Sequence, residues 1–174
     1  TPFTNIELQA FYEEHLEDYK LPATVTFTHV FFSEDRHGNV IDQVAQKTLE
    51  MLNENRVRFD QAPNYGDRFP FRLNYVRRTQ QEIASHFGEA MAQIVFKLQP
   101  HKKVWQGPIR SEFGKHLVLL TRAEAARSPP LRDVRDQLVK ELERLRELDS
   151  KQKTIDELID GFEIKLSPEF QGRF

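Results

Sequence analysis

The hydrophobic residues near the start of the chain first recur at helical spacing and then alternate as in a strand. Thr4 and Glu7 match a capping box, in which two side chains satisfy free N–H groups at the start of a helix. Apolar residues then step by three or four and predict a helix, through Leu8, Phe11, Tyr12, Leu16 and Tyr19. The segment from Thr24 to Phe32 is rich in β-branched and aromatic residues and predicts a strand. Its alternation predicts one face that carries Val25, Phe27, His29 and Phe31.

The middle of the chain predicts helices and short strands on either side of a loop. Val40–Asn53 has apolar residues at helical spacing, and Glu89–Leu98 predicts another helix. Gln61–Arg72 contains two Pro and one Gly among polar residues, which predicts a loop. Val104–Ile109 and His116–Thr121 predict two strands that are joined by a turn.

From Pro130 onward the apolar residues form one stripe at helical spacing. The stripe predicts a helix of about thirty residues, beginning with Leu131, Val134, Leu138, Leu142, Leu145 and Leu148. Its last part, Phe162–Leu166, alternates and predicts a short terminal strand. The order of all these elements predicts an α+β fold with a small antiparallel sheet, an N-terminal helix and a long C-terminal helix.

Composition and charge exclude several classes of protein. The chain has 174 residues, 39% hydrophobic and 30% charged, as in a soluble globular protein. A net charge of -2 gives no field that attracts nucleic acid, so no nucleic-acid partner is expected. The absence of Cys excludes disulfides and thiolate catalysis, and no apolar run reaches the roughly 18 residues of a transmembrane segment. Because the first residue is Thr, we expect a processed or excised chain, which leaves a signal peptide or membrane anchor in the parent protein as an option.

Two histidines lie inside predicted strands and are the main candidates for chemistry. By composition alone, a residue such as His29 or His116 is more often a hydrogen-bonded core side chain than a catalytic one. The remaining histidines show no metal-ligand spacing, so neither a metal nor another cofactor is predicted. The chain also lacks a Gly-x-Ser-x-Gly elbow and a Gly-rich phosphate loop, which argues against hydrolase and nucleotide chemistry.

The order of motifs around these histidines resembles a known family. After the strand with His29, a helix ends in Phe96-Lys97-Leu98, a hairpin opens at Gly107-Pro108, and it closes at Gly114-Lys115-His116. This order and spacing are similar to those of the parvulin-type, PpiC-like peptidyl-prolyl cis-trans isomerases over residues 24–124. The flanking segments resemble the bacterial exported or membrane-associated branch of that family.

The resemblance implies a division of the chain into three parts. Residues 24–124 are expected to form a parvulin-like domain, with an antiparallel sheet of about four strands and surrounding helices. Residues 1–23 are expected to form an N-terminal helical extension. Residues 125–174 are expected to form a long C-terminal helix and tail that pack on the N-terminal helix or on a partner.

The resemblance also implies a site for proline isomerisation. Rotation about a peptide bond faces a barrier of about 18–20 kcal/mol, and a catalyst must bind the twisted amide better than the planar one. In parvulins an apolar cluster grips the proline ring above two histidines on the sheet. The implied catalytic residues are His29 and His116, and the implied substrate-binding residues are Phe87, Met91 and Phe96.

The chain departs from the family pattern around this pocket. The family usually has Met at the position of Phe87 and Phe at that of Met91, so the two side chains look exchanged. The stretch comparable to the family's Gly-Asp-Leu-Gly is Gly66-Asp67-Arg68-Phe69-Pro70-Phe71-Arg72, which lacks the second Gly. The family's polar residue near the reacting bond has no clear counterpart, and the nearest candidates by position are Asn74, Tyr75 and Arg77.

Three interpretations of function stay open at this point. The first is an active peptidyl-prolyl isomerase that acts on proline-containing unfolded or extended polypeptides and assists the folding of exported proteins in a bacterial periplasm or other extracytoplasmic space. The second is a catalytically weak parvulin-like chaperone or peptide-binding module, which the altered pocket favours. The third is an oligomerisation module, in which the stripe of the long helix is the seam of a homodimer.

Overall fold

The computed structural model describes residues 2–166, which fall into two compact units. One unit combines the segment that ends at Lys20 with the segment that begins at Ser128. The other runs from Leu21 to Arg127 and therefore contains both candidate histidines.

The unit from Leu21 to Arg127 is built on a four-stranded antiparallel sheet in the order β2-β1-β4-β3. The strands are β1 Thr24–Ser33, β2 Asn74–Arg78, β3 Gln106–Arg110 and β4 Gly114–Glu124. β1 and β4 are central and pair along their whole length, from Thr24 opposite Glu124 to Ser33 opposite Gly114. The α+β fold with a small antiparallel sheet of four strands is thereby confirmed.

Two apolar clusters cover the two faces of this sheet. The helices around it are α2 Glu34–His37, α3 Ile41–Glu54, α4 Gln80–Phe87 and α5 Glu89–Lys97. Val25, Phe27 and Phe31 of β1 pack with residues of α4 and α5, as the alternation predicts. Val30 and Phe32 point to the opposite face and pack with residues of α3.

The break between α4 and α5 fixes how their apolar residues enter the core. α4 begins with a capping box between Thr79 and Glu82. Gly88 then separates the two helices with a φ of +87°, a backbone conformation that other residues rarely adopt. On either side of this break, Phe87 and Met91 are both fully buried in the same cluster.

The unit that includes both ends of the chain consists mainly of two helices, α1 Asn5–Glu14 and α6 Leu131–Leu166. The predicted capping box of Thr4 is present at the start of α1. Leu8 and Tyr12 of α1 are buried against Val134 and Leu138 of α6. The hydroxyl of Tyr12 also donates a hydrogen bond to the carbonyl of Pro129.

Two details of the fold differ from the sequence prediction. α6 is one continuous helix of 36 residues, so the predicted terminal strand at Phe162–Leu166 is wrong. A continued helix satisfies its backbone internally, whereas a short strand needs an edge to pair with. The prediction also missed β2, because only Tyr75 of its five residues is buried and no clear alternation results. Among the described residues, no helix combines the length and apolarity needed to span a bilayer.

Candidate functional site

The two candidate histidines meet on one face of the central strands. His116 of β4 lies opposite Phe31 of β1, which places it diagonally across from His29. Both imidazoles are fully buried, with 0% of their surface exposed. Their Nδ1 atoms lie 3.0 Å apart, within hydrogen-bonding distance. The structure therefore brings together two residues that are 87 positions apart in the chain.

A backbone carbonyl sets the direction of the hydrogen bonds through this pair. The Nε2 atom of His29 lies 2.9 Å from the carbonyl oxygen of Arg72, which can only accept, so Nε2 carries the hydrogen. The Nδ1 atom of a neutral His29 is then an acceptor. It follows that Nδ1–H of His116 donates to Nδ1 of His29, which leaves Nε2 of His116 as an acceptor.

Ser111 completes the chain of hydrogen bonds at its other end. The Ser111 hydroxyl lies 2.7 Å from Nε2 of His116 and donates to it. The backbone N–H of Phe113 in turn donates to Ser111 Oγ over 3.1 Å. The sequence analysis did not single out Ser111, although its place inside the hairpin, five residues before His116, was a usable signal.

Burial keeps both imidazoles neutral. Desolvation lowers the pKa of His29 to about 4, and the hydrogen bond to the Arg72 carbonyl opposes this shift only in part. Desolvation lowers the pKa of His116 further, and the neighbouring His29 adds to that effect. A second proton on His29 would also place two N–H groups against each other at 3.0 Å. Near neutral pH the pair is thus an uncharged and fully hydrogen-bonded unit.

The ring of Phe69 covers this pair. Its centroid lies 4.9 Å from that of His29 and 5.2 Å from that of His116, with the rings nearly perpendicular. On its other side it stacks on Phe87 at 5.0 Å with an interplanar angle of 12°. Only 8% of Phe69 is exposed. The Phe69 ring therefore fills the space above the histidines.

The predicted substrate-binding residues lie in the same apolar cluster, but two of them are closed off. Phe87 contacts both imidazoles, with ring centroids 5.1 and 5.2 Å away. Phe87 and Met91 are 0% exposed, so a peptide cannot touch either side chain in this conformation. Phe96 is partly buried and packs against the edge of the cluster. Contact between these residues and a substrate stays a prediction.

The segment that carries Phe69 is fastened at its start by Asp67. The N–H of Asp67 donates to the carbonyl of Phe31 over 2.7 Å. The carboxylate of Asp67 accepts a hydrogen bond from the N–H of Ser33 at 2.8 Å, and it contacts His37 and Arg36 at 2.9 and 3.0 Å. Just before it, Gly66 packs so closely on β1 that an added Cβ would lie 2.6 Å from the Phe31 carbonyl oxygen.

Tyr75 and Arg72 fasten the other end of the segment. The carbonyl of Arg72 accepts from His29, and its N–H donates to Tyr75 Oη over 3.3 Å. The Tyr75 hydroxyl also lies 3.0 Å from Nδ1 of His86, and burial raises the pKa of Tyr75 to about 12. Of the three polar candidates near β2, only Tyr75 is buried beside the histidines, since Asn74 and Arg77 are exposed.

An open cleft of about 540 Å³ lies next to Phe69. Its lining combines aromatic, apolar and charged side chains, including Phe31, Arg36, Arg68, Pro70, Glu112 and Phe113. Two of these, Phe31 and Phe113, also contact the ring of Phe69, with centroids 5.0 and 5.7 Å away. Phe31 also contacts His116, with ring centroids 5.0 Å apart, so Phe31 and Phe69 both lie between the cleft and the histidine pair.

Two solved structures are similar to this chain at low sequence identity, and the first of them shares its fold. One comes from a study of PEB4 and the periplasmic protein Cj1289, two structurally related SurA-like chaperones of Campylobacter jejuni. It matches with a TM-score of 0.56 and 15% identity over 92% of this chain and 62% of that chain. PrsA from Bacillus subtilis matches with a TM-score of 0.42 and 13% identity over 90% of this chain and 54% of that chain. The chain thus spans about three fifths of the first structure and about half of the second.

The sequence matches a family model over most of its length. No curated protein sequence matches the chain significantly. The model of the PPIC-type PPIase domain, however, matches residues 3–136, a range that includes the histidine pair, Ser111 and the Phe69 segment. The chain therefore belongs to the PPIC-type peptidyl-prolyl isomerase domain family.

Proposed function

We propose that this protein binds extended, proline-containing segments of unfolded polypeptides, assists their folding, and isomerises their X–Pro bonds slowly. The observation that carries the proposal is the open cleft whose lining residue Phe31 contacts both His116 and the Phe69 ring that covers the histidine pair. The cleft is the place for the polypeptide, and the histidine pair is the floor of the isomerisation site. A slow rate follows from the closed pocket of Phe87 and Met91.

The lining of the cleft suits an unfolded polypeptide. Phe31, Pro70 and Phe113 offer apolar contact to side chains such as proline. Charges of both signs surround these residues, and they belong to Arg36, Arg68, Glu34, Asp35 and Glu112. Such a mixture binds varied sequences with little preference for one net charge. It supports the broad role of a chaperone better than selection of one acidic or basic motif.

Isomerisation requires no group that exchanges a proton or forms a covalent bond. The twisted amide has lost its resonance, and a dry apolar pocket disfavours the more polar planar amide. The neutral His29–His116 pair provides such a floor because all of its polar atoms are paired within the protein. The pair holds the geometry of the pocket, and the apolar rings around it hold the proline.

Peptide titration with NMR detection tests the proposal. A proline tetrapeptide should shift backbone resonances of Phe31, Arg68 and Phe113 and should show catalysed cis–trans exchange above the uncatalysed rate. Phe113→Ala should weaken both effects, whereas Phe59→Ala, an exposed ring that does not line the cleft, should change neither. If the peptide produces no shifts at the cleft even at millimolar concentration, the proposal is wrong.

We also propose that the protein works outside the cytoplasm. The structural match to SurA-like chaperones, one of which is described as periplasmic, supports this location, and a chain without Cys is compatible with it. Fractionation of cells that express the full parent protein tests the location. Recovery in the cytoplasmic fraction alone would contradict it, and recovery with membranes after a salt wash would indicate an anchor.

We propose that the C-terminal half of α6 pairs with the same helix of a second copy of the chain. The seam of this pair would consist of residues that recur at heptad spacing along one face of α6. Its apolar residues are 38–66% exposed and are Leu145, Leu148, Ile155, Ile159 and Phe162. In a parallel, in-register pair Gln152 would face its own copy, an arrangement that fixes register. The same register brings Arg144 near Asp149 of the other copy and Lys151 near Asp156 of the other copy.

In the single chain, the charged residues that flank the seam form contacts within α6 itself. Arg144 pairs with Glu141 at 2.5 Å, Asp149 pairs with Lys153 at 2.7 Å, and Asp156 accepts from Gln152 at 2.8 Å. All of these contacts are exposed to solvent, where water and salt screen them and each contributes little to stability. They can therefore be exchanged for contacts between copies at little cost. Sedimentation at micromolar concentration tests the dimer, and a monomer at every concentration would refute it.

A further inference from the structure

Phe69, together with Phe31, stands between the cleft and the histidine pair. Its ring contacts Phe31 and Phe113 on the cleft side. It contacts His29, His116 and Phe87 on the core side. A glycine at this position would leave the same space empty. The size of the side chain at position 69 thus determines whether the space above the histidines is open or filled.

We propose that Phe69 occupies the place of the substrate's proline ring and acts as an internal competitor that must swing out before an X–Pro bond reaches the pair. The inference rests on the proposed function and specifies what limits its rate. Phe69 is apolar and packs face to face on Phe87, the ring that the resemblance assigns to the proline grip. A proline ring offers the same kind of apolar contact in a smaller volume.

The surrounding segment is built to let this ring move. Both ends are fastened, by Asp67 to β1 and by Arg72 to His29 and Tyr75. Between them, the described backbone–backbone hydrogen bonds include none from residues 68–71. Arg68 and Pro70, the neighbours of Phe69, are exposed. Side-chain packing alone therefore holds Phe69 in place, and rotating it outward breaks no backbone hydrogen bond of the segment.

Such a competitor lowers the apparent affinity of the inner pocket for peptide. The affinity falls in proportion to the fraction of molecules in which the Phe69 ring has moved out of the pocket. The outer cleft is lined by residues other than Phe69, so a peptide can occupy it without any movement of that ring. In the wild type a peptide should therefore perturb cleft residues strongly and the two imidazoles weakly. Removal of the ring should make the imidazoles respond to peptide as strongly as the cleft.

The test compares Phe69→Ala with Phe59→Ala, a matched loss of an aromatic ring at an exposed position outside the cleft. Two quantities are measured with the same proline tetrapeptide. One is the catalysed cis–trans exchange rate, from NMR exchange spectroscopy. The other is the peptide-induced shift of the imidazole ¹⁵N resonances of His29 and His116.

We expect Phe69→Ala to raise the exchange rate by about tenfold or more and to produce larger imidazole shifts than the wild type and Phe59→Ala show. The inference is overturned if a cooperatively folded Phe69→Ala gains neither. If Phe69→Ala does not fold, Phe69→Leu, which keeps most of the apolar volume, is judged by the same two quantities with a smaller gain. Cleft shifts without any gain refute the Phe69 inference alone, whereas the absence of cleft shifts in all variants refutes the proposed function.

Discussion

The Nδ1 atoms of His29 and His116 lie 3.0 Å apart, and the carbonyl of Arg72 decides which of them carries the hydrogen. The carbonyl requires a donor at Nε2 of His29, so the shared hydrogen belongs to His116. Ser111 then donates to the remaining nitrogen of His116. One directed chain of hydrogen bonds thereby connects a loop, two strands and a hairpin turn. A substitution at any of these positions should therefore alter the hydrogen bonds of the other members.

The two imidazoles should be opposite neutral tautomers. His29 is expected to carry its hydrogen on Nε2 and His116 on Nδ1, because only this arrangement satisfies the Arg72 carbonyl and accepts the Ser111 hydroxyl. Long-range ¹H–¹⁵N correlation spectra at pH 7 distinguish the two tautomers directly. Identical tautomers, or a charged ring, would contradict the hydrogen-bond chain described above.

Folding stability should fall as the solution becomes acidic. The folded-state pKa of His29 is about 4 against 6.5 for an unperturbed His, so the unfolded chain binds more protons between these values. The stabilisation is fully present above pH 6.5 and is lost as the pH falls toward 4. Since each pKa unit is worth about 1.4 kcal/mol, His29 alone should account for a loss of about 2–3 kcal/mol between pH 7.5 and 4.5.

Urea unfolding at a series of pH values measures this loss. His29→Gln retains a donor for the Arg72 carbonyl but does not titrate, so its stability should change less with pH. His101→Gln, an exchange at an exposed position, serves as the control and should follow the wild type. If the free energy of unfolding falls equally with decreasing pH in all three proteins, the buried pair does not govern the acid sensitivity.

Ser111→Ala should destabilise the fold by about 1–3 kcal/mol, because it leaves the buried Nε2 of His116 without a donor and the N–H of Phe113 without an acceptor. Ser85→Ala is the matched control, since the Ser85 hydroxyl donates to the backbone carbonyl of Glu82 at an exposed position. Denaturant midpoints measure both changes. A loss no larger than that of Ser85→Ala would mean that another group replaces the hydroxyl, and Ser111→Thr should retain most of the stability.

Asp67→Asn should loosen the start of the Phe69 segment. The substitution keeps the shape of the side chain but removes the charge that holds Arg36 and His37, and it should cost about 1.5–3 kcal/mol. Asp60→Asn affects a surface pair with Arg58 and should cost less than about 1 kcal/mol. Thermal unfolding at pH 7.5 compares the two variants. A similar small cost for both would argue that Asp67 does not anchor the segment.

Charge reversal should separate the proposed copies of α6. In the parallel register, reversing Arg144 and Lys151 to Glu places like charges beside Asp149 and Asp156 of the other copy. The dimer dissociation constant should rise by about tenfold, and it should recover when both Asp residues are changed to Lys. Glu157→Lys lies on the opposite face of the helix and is the control. Sedimentation velocity measures the constant, and no response to the double reversal would exclude this register.

The sequence by itself determined most elements of the fold, though not β2, and it singled out the two histidines. Alternation in β1 and the order from Gly107-Pro108 to His116 are local patterns, and a local pattern survives folding because the strand pleat and the hairpin turn follow directly from it. The capping boxes at Thr4 and Thr79 are equally local. The length of α6 was only partly predictable, since its last turns carry an alternation that the continued helix overrides.

Only the tertiary structure decided what surrounds the pair. Residues 66–72 have no periodicity, so their path depends on distant partners: Asp67 on β1, Tyr75 on β2 and His29 itself. The burial of Phe69 follows from that path, and with it the closure of Phe87 and Met91. The sequence could show that a glycine was missing. Where the side chain of Phe69 would go was decided by contacts between segments far apart in the chain, and these contacts leave no local pattern to read.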